Sequence, residues 1–251
     1  MDLSIVIPAF REGEKVGHDV EAAGKFFVAQ GLKGEIIVVD DGSPDDTQQA
    51  AERAPVPPGV ERQVIRYHPN RGKGYAVRTG MGRTRGQYVM FADVGQCVPF
   101  EDALRGIEAI ASGQYEIAHG SRKLPGSILY RRQRLYRRAL SWLFRKVVGA
   151  MMGVPEQLTD TQCGFKVYRG DVGRELYAAC RTDGFMFDIE ILLRALRKGY
   201  RVTEFPVEWR CDRDSRLHPA RGAGHTFKEL RQIKRDLDEE ERGEGTADKA
   251  S

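Results

Sequence analysis

The stretch LSIVIPAFRE, from Leu3 to Glu12, begins with a short, largely apolar run, Leu3–Ile7, and ends in a proline and polar residues. Such a run of Leu, Ile and Val is typical of a strand buried on both faces of a sheet. A helical stretch from about Lys15 to Ala29 follows, and a second apolar run spans Glu35–Val39. This order of strand, helix and strand predicts two parallel strands joined by a crossover helix.

The same alternation continues through the first 120 residues. A helix is expected to begin at Ser43, because a serine N-cap followed by Pro44 and two acidic residues is a typical helix start. The further predicted elements are the strands Val64–Tyr67, Tyr88–Phe91 and Glu116–His119 and the helices Tyr75–Arg83 and Phe100–Ala111. The fold class is therefore α/β and Rossmann-like, with a mainly parallel central sheet and helices on both faces.

The second half of the chain is less regular. Its predicted elements are a basic helix over Ile128–Ala150, a loop over Pro155–Gly164, strands over Phe165–Tyr168 and Val202–Trp209, and a helix over Met186–Lys198. From Asp236 onward the chain holds seven acidic and two basic residues and almost no apolar ones. Residues 236–251 are therefore predicted to form a frayed helix and a disordered tail.

Composition disfavours several classes of protein. No segment reaches the roughly 18 consecutive apolar residues that a membrane-spanning helix requires, and the first residues do not resemble a signal peptide. The four cysteines are widely spaced and include no CxxC pair, which argues against a disulfide framework or a zinc site. These observations predict a cytoplasmic location, and 251 residues are enough for one α/β domain with a sizeable core.

The positive charge of the chain is concentrated in one segment. Between Glu116 and Glu156 there are nine Lys and Arg residues and no Asp or Glu. Because the whole chain has a net charge of +4, the remainder sums to −5 (4 − 9). A local positive field of this kind predicts an anionic partner, which is a nucleic acid, an anionic lipid or a phosphorylated substrate.

Polar residues follow four of the predicted strands, at Pro8–Glu12, Asp40–Ser43, Asn70–Gly74 and Asp93–Gly95. Ligands in such folds bind beyond the carboxyl ends of the strands. A carboxylate there accepts hydrogen bonds from a nucleobase or a ribose, and the glycines around Lys73 let the backbone and the ammonium approach phosphates. Each segment alone is ordinary turn chemistry, but their recurrence at successive strand ends predicts a nucleotide site.

The same segments resemble those of the inverting glycosyltransferases that make dolichyl-phosphate mannose and dolichyl-phosphate glucose. Further similar segments follow in the same order, at Gly120–Arg122, Tyr136–Ser141, Asp160–Lys166, Phe187–Glu190 and Phe205–Trp209. The resemblance covers residues 3–235, and DTQCGFK at Asp160–Lys166 is similar to the glucosyltransferase branch. It implies a GT-A fold in one domain, 1–235, with a nucleotide-sugar-binding half (1–120) and an acceptor half (121–235).

The resemblance, together with the turn around Lys73, also implies roles for individual residues. The predicted donor-binding residues are Pro8, Phe10, Glu12 and Asp41 at the nucleoside, Asp93 at ribose and metal, and Lys73 and Arg216 at the diphosphate. The predicted catalytic residues are Asp93 and, holding the acceptor phosphate, Arg122, Arg137 and Ser141. Asp188, Glu190 and Glu208 are predicted either to orient sugar hydroxyls and those arginines or to have structural partners only.

One position departs from the family pattern. The family has Asp-any-Asp, whose second carboxylate helps to hold a divalent metal on the diphosphate, whereas this chain has Asp93-Val94-Gly95. Asp93 then remains as the predicted ligand for Mg²⁺ or Mn²⁺. Three interpretations stay open: a water or a nearby side chain completes the site, Lys73 and Arg216 carry more of the diphosphate charge, or the chain no longer performs the reaction.

The predicted helix over Ile128–Ala150 is amphipathic. Its apolar face carries Leu129, Tyr136, Leu140, Leu143 and Val147, and the opposite face carries Arg131, Arg134, Arg138 and Arg145. Arg137 and Ser141 are four residues apart and can bind one phosphate together. The helix either packs its apolar face on the sheet or lies at an anionic membrane surface, and the excess of arginines favours the membrane surface.

The predicted function is transfer of glucose or mannose, with inversion, from UDP-glucose or GDP-mannose to a polyprenyl or dolichyl phosphate. The protein is predicted to lie at the inner face of the membrane and to act in cell-envelope glycan synthesis. The alternatives are a glycosyltransferase with a soluble acceptor and a non-catalytic nucleotide-sugar-binding protein. Nucleic acid is disfavoured as a partner, because the strand-end carboxylates repel its phosphates.

Overall fold

The computed structural model describes residues 1–130, 146, 148, 149, 151–210 and 219–247, without the side chains of 219–223, 225 and 243–247. The chain divides into two compact units. The first comprises Met1–Gln133 and Gln157–Asp212, and the second comprises Arg134–Glu156 and Arg213–Ser251. The sheet and most of the predicted site residues belong to the first unit.

Nine strands form a large and a small sheet in the described part of the first unit. They are β1 (Leu3–Ala9), β2 (Gly34–Asp40), β3 (Glu61–Arg66), β4 (Tyr88–Ala92), β5 (Ile117–Ser121), β6 (Ile128–Leu129), β7 (Phe165–Arg169), β8 (Val202–Pro206) and β9 (Glu208–Trp209). The large sheet has the order β3-β2-β1-β4-β7-β5-β8, and β6 pairs with β9. Only β7 runs antiparallel to its neighbours among these pairs, so the predicted mainly parallel sheet is confirmed.

Helices cover both faces of the large sheet. They are α1 (Gly13–Gln30), α2 (Thr47–Arg53), α3 (Lys73–Met81), a 3₁₀ turn (Phe100–Asp102) that leads into α4 (Ala103–Ala111), α5 (Gly170–Ala179) and α6 (Phe187–Arg197). Alternate residues of β1 enter different apolar clusters: Ile5 packs with the α1 side and Val6 with the α3 and α6 side. Burial on both faces is the reason why every residue of the strand except Ser4 is apolar.

The helix predicted to begin at Ser43 begins at Thr47 instead. The Ser43 hydroxyl accepts a hydrogen bond from the Arg11 N–H at 2.9 Å, and the Ser43 N–H is donated to Asp40 Oδ1 at 2.9 Å. Ser43 is therefore committed to joining the loops after β1 and β2 and does not cap a helix. A serine followed by proline fits both structures, which is why the local pattern misled the prediction.

Two boundaries in the second half also differ from the prediction. Residues Ile128–Leu129 form β6 and not the start of a helix, and residues 131–145 of the predicted basic helix lie outside the described residues. The single strand predicted over Val202–Trp209 is two strands in different sheets, because the chain turns after Pro206 and the Glu208 N–H is donated to Asp102 Oδ2. Helix α5 was not predicted.

The second unit contains α7 (Pro219–Ala247) and the helical residues 146, 148, 149, 151 and 152. Leu230, Ile233 and Leu237 are buried and recur at the three- and four-residue spacing of one helix face. Helix α7 extends into the segment predicted as a tail, of which residues 248–251 lie outside the described part. Within the described residues, every helix is too short or too polar to cross a bilayer.

Candidate active site

The loops after β1 and β2 are joined at the carboxyl end of the sheet. The Asp41 N–H is donated to the Ala9 carbonyl at 2.9 Å, and the Glu12 N–H is donated to Thr47 Oγ1 at 2.9 Å. Arg11 has a φ of 56°, which is a left-handed conformation that costs a non-glycine residue energy. These bonds bring the predicted nucleoside residues together at the end of β1 and in the loops after β1 and β2. They are Pro8, Phe10, Glu12 and Asp41, of which only Asp41 is buried.

Asp41 shapes the turn that precedes Lys73. Its Oδ1 accepts the Arg71 N–H at 2.7 Å, and its Oδ2 accepts Asn70 Nδ2 at 2.7 Å and the Gly72 N–H at 2.9 Å. Gly72 has a φ of 109°, and a Cβ there would lie 2.5 Å from the Asp183 carbonyl oxygen. The turn therefore requires glycine, and Asp41 positions it from a buried site.

Lys73, the first residue of α3, faces the carboxylate that follows β4. Its Nζ lies 2.6 Å from Asp93 Oδ1, and the two side chains are 20% and 38% exposed. The ammonium also lies 5.6 Å and 5.9 Å from the ring centres of Phe91 and Phe187. Burial opposes the charge, but the carboxylates of Asp93 and Asp188 outweigh it and raise the pKa of Lys73, so it stays cationic.

Arg122, directly after β5, is held by a buried carboxylate. Its Nε donates to Asp160 Oδ2 at 2.7 Å and its Nη2 donates to Asp160 Oδ1 at 2.8 Å, a bidentate pair. Asp160 in turn is held by Glu204, whose Oε1 accepts the Asp160 N–H at 2.6 Å and whose Oε2 accepts the Thr159 hydroxyl at 2.6 Å. Burial opposes the ionisation of Asp160, but the bonds and charge of Arg122 lower its pKa below the usual value.

The segment Asp160–Lys166 also supports Asp93. The Asp93 N–H is donated to the Gly164 carbonyl at 2.9 Å, and a Cβ on Gly164 would lie 2.0 Å from Asp93 Oδ2. Lys166 is 1% exposed, pairs with Asp188 and donates to the Thr161 carbonyl at 2.8 Å. One segment of seven residues thus positions both the carboxylate after β4 and the arginine after β5.

Asp188 and Glu190 have structural partners, which is the second of the two roles predicted for them. Asp188 pairs with Lys166, as described above. Glu190 accepts the N–H groups of Arg181 and Thr182 at 2.9 Å and 2.7 Å and pairs with Arg194 at 2.8 Å. The loop it holds packs on the glycines around Lys73, since a Cβ on Gly74 would lie 2.4 Å from the Thr182 carbonyl oxygen. Glu190 therefore supports the turn from behind.

Asp19, which was not predicted as a site residue, lies on the buried face of α1 and holds the loop after β4. Asp19 Oδ2 accepts the Gly95 N–H at 3.0 Å, and Oδ1 accepts the Gln96 N–H at 2.8 Å. Burial raises the pKa of Asp19 to about 6, although the two N–H bonds oppose the shift. An aspartate among the apolar positions Val16 and Val20 was the signal that could have revealed it.

Arg137, Ser141 and Arg216 lie outside the described residues, and their predicted roles stay predictions. Within the described residues, no three His, Cys, Asp or Glu side chains lie close enough together to hold a metal ion. The site that the structure describes therefore consists of the loop pair after β1 and β2, the Lys73–Asp93 pair and the Arg122–Asp160 pair.

A Rossmann-like sheet that carries carboxylates and cations at its strand ends is the arrangement expected of a nucleotide-sugar-dependent glycosyltransferase. The chain belongs to glycosyl transferase family 2, whose family model matches residues 4–176. This membership makes the chain an enzyme of the glycosyltransferase class and confirms the predicted family resemblance.

Two curated relatives are similar to most of the chain. Dolichyl-phosphate beta-glucosyltransferase of Saccharomyces cerevisiae is 32% identical over 82% of this chain and 66% of its own length. Glycosyltransferase AglD of Haloferax volcanii is 29% identical over 86% of this chain and 34% of its own length. The chain thus spans about two thirds of the length of the yeast relative and about one third of the length of the Haloferax relative.

The fold is also that of a solved enzyme. Glucosyl-3-phosphoglycerate synthase from Mycobacterium tuberculosis, in complex with Mg²⁺ and uridine diphosphate, superposes with a TM-score of 0.69. The two chains are 16% identical over 92% of this chain and 77% of that one. The similarity confirms the predicted GT-A fold, and at 16% identity it concerns the fold alone.

Proposed function

We propose that the chain transfers a hexose, with inversion, from a nucleotide sugar to a polyprenyl phosphate. The name of the yeast relative supports a dolichyl-phosphate type of acceptor and glucose as the sugar. The observation that carries the proposal is that Asp160–Lys166 holds two groups in place, the carboxylate of Asp93 and the guanidinium of Arg122. These groups suit a donor and an anionic acceptor, respectively.

The chemistry requires little beyond positioning. An oxygen of the acceptor phosphate attacks the anomeric carbon, a new C–O bond forms, and the bond to the nucleoside diphosphate breaks with inversion. The attacking oxygen is already ionised, so the site needs no general base and acts through orientation and charge stabilisation. Asp160 engages Nε and Nη2 of Arg122, and in the described part of the chain Nη1 of that guanidinium remains for a phosphate oxygen.

The acceptor residues are part of the same proposal. Arg137 and Ser141 bind the acceptor phosphate, and the basic segment around them attaches the protein to the anionic inner face of a membrane, where it acts in cell-envelope glycan synthesis. The five arginines of residues 131–145 other than Arg137 support such attachment, because a basic residue contributes about 1 kcal/mol near an anionic surface. Arg216 contacts the donor diphosphate.

The test is release of nucleoside diphosphate by the purified protein. UDP-glucose and GDP-mannose are each supplied alone, with a polyprenyl phosphate, and with 3-phosphoglycerate as a soluble phosphorylated acceptor. Release that requires the polyprenyl phosphate is the expected result, and the donor that supports it identifies the sugar. Release with 3-phosphoglycerate alone would replace the lipid acceptor by a soluble one.

Two arginine variants separate the acceptor role from general charge. Arg137→Ala is expected to abolish most transfer while donor affinity stays unchanged, because only the acceptor loses a contact. Arg132→Ala removes the same charge and serves as the matched control, because a separation of five residues places it on the other side of the predicted helix from Arg137. Equal losses in the two variants would contradict a specific role for Arg137.

A further inference from the structure

The loop after β4 does not fit a divalent metal. Mg²⁺ and Mn²⁺ require several oxygen ligands, commonly one or two carboxylates besides the phosphates of the substrate. Asp93 is the only carboxylate in the segment from Asp93 to Pro99. In the described part of the chain it also belongs to no group of three His, Cys, Asp or Glu side chains that could surround an ion.

The backbone of this loop is built for glycine and not for a second ligand. Gly95 has a φ of 99°, a conformation that side-chain-bearing residues rarely adopt. Its N–H is donated to the buried carboxylate of Asp19 at 3.0 Å, and the N–H of Gln96 is donated there at 2.8 Å. The loop is therefore fixed with a bare position where the second aspartate of the family pattern would be.

A cation already lies against Asp93. The Lys73 Nζ is 2.6 Å from Asp93 Oδ1, and the two side chains are 20% and 38% exposed. Lys73 is also held in place, because it follows a glycine turn that Asp41 orders through three hydrogen bonds. A divalent ion that binds Asp93 would have to displace this ammonium from the carboxylate and would still lie close to its positive charge.

We infer that Lys73 takes the place of the metal, so that the chain binds the diphosphate of its donor without a divalent cation. The inference rests on the proposed function, since it concerns the donor of that reaction. Lys73 begins α3, where the positive end of the helix dipole favours an anion. The ammonium, a compact point charge with three donors, bridges Asp93 to a phosphate oxygen.

The test is calorimetric binding of UDP and GDP to the full chain, in EDTA and in MgCl₂ or MnCl₂. The expected result is binding of at least one nucleotide in EDTA, with an affinity within roughly threefold of that with metal. Binding that appears only with metal would overturn the inference and leave the proposed function standing. Binding of neither nucleotide under any condition would remove the proposed function as well.

Variants of Lys73 test the replacement itself. Lys73→Met should weaken diphosphate binding roughly 30-fold in EDTA, the loss of one charge-assisted hydrogen bond, while the nucleoside without phosphates binds as before. Unchanged nucleoside affinity also reports that the variant is folded. Lys25→Met removes an exposed lysine of α1 as the matched control, and Lys73→Arg, which keeps the charge, should retain most of the affinity. Full diphosphate affinity in Lys73→Met would overturn the inference.

Discussion

Replacing Asp19 by asparagine should change how the stability of the protein depends on pH. Burial raises the pKa of Asp19 from 3.8 to about 6, and its carboxylate is 1% exposed. Between these two values the native state binds a proton that the unfolded state has released. Stability therefore falls as the pH rises through this window, and the loss is complete above about pH 6.

The magnitude follows from the size of the shift. Roughly two pKa units correspond to about 3 kcal/mol of unfolding free energy, and about 2 kcal/mol of it falls between pH 4 and pH 8. Asp19→Asn has no proton to lose at this site. The difference in unfolding free energy between the variant and the wild type should therefore grow in favour of the variant by about 2 kcal/mol over this range.

Urea unfolding of both proteins across that pH range measures the difference. The neighbouring charges of Glu12 and His18 act on Asp19, but they are present in both proteins and largely cancel. Glu14→Gln, an exposed carboxylate on the same helix, should show a constant difference from the wild type. A constant difference for Asp19→Asn as well would refute the claim that this carboxylate is buried at the expense of stability.

Three further substitutions test the supports of the site. Gly164→Ala places a Cβ 2.0 Å from Asp93 Oδ2 and should abolish transfer and lower the melting temperature. The control Gly224→Ala places its Cβ within 4 Å of no other atom in the described part of the chain, so transfer should stay unchanged and stability should stay the same or rise slightly. Asp160→Asn removes the buried carboxylate from the partly buried Arg122 guanidinium and should cost about 3 kcal/mol in urea unfolding. Glu156→Gln, in an exposed pair, should change the unfolding free energy little, and equal losses in the two variants would contradict this reasoning. Asp41→Asn presents an amide donor to backbone N–H groups and should weaken UDP binding about tenfold by calorimetry, an expectation that an unchanged dissociation constant would refute.

Much of the fold could be predicted because burial on both faces makes the central strands largely apolar. Strands β1, β2 and β4 are such runs, and their predicted positions are confirmed to within two residues at each end. Pairing between distant segments leaves no such local trace. The antiparallel insertion of β7 between β4 and β5, and the change of sheet after Pro206, depend on long-range contacts that periodicity does not report.

The candidate site divides in the same way. The strand-end positions of Asp41, Lys73 and Asp93 could be predicted, since ligands in parallel sheets bind at that edge. Their partners could not, because the hydrogen bonds that Asp41 accepts from the turn before Lys73, and that Asp19 accepts from the Gly95 N–H, join residues 30 and 76 positions apart.

The buried charges of the first unit are better explained by positioning than by stability. The pairs Arg122–Asp160, Lys166–Asp188 and Glu190–Arg194 all involve a side chain that is at most 5% exposed, and apolar replacements of buried pairs are often neutral or stabilising. Asp160 and Lys166 lie on either side of Gly164 in the sequence, and the Gly164 carbonyl accepts the Asp93 N–H. Glu190 holds the loop that packs behind Lys73. Apolar residues at these positions would preserve the sheet, but the cation and the carboxylate at its edge would no longer be held in place. A transfer that brings two anions together requires such fixed charges.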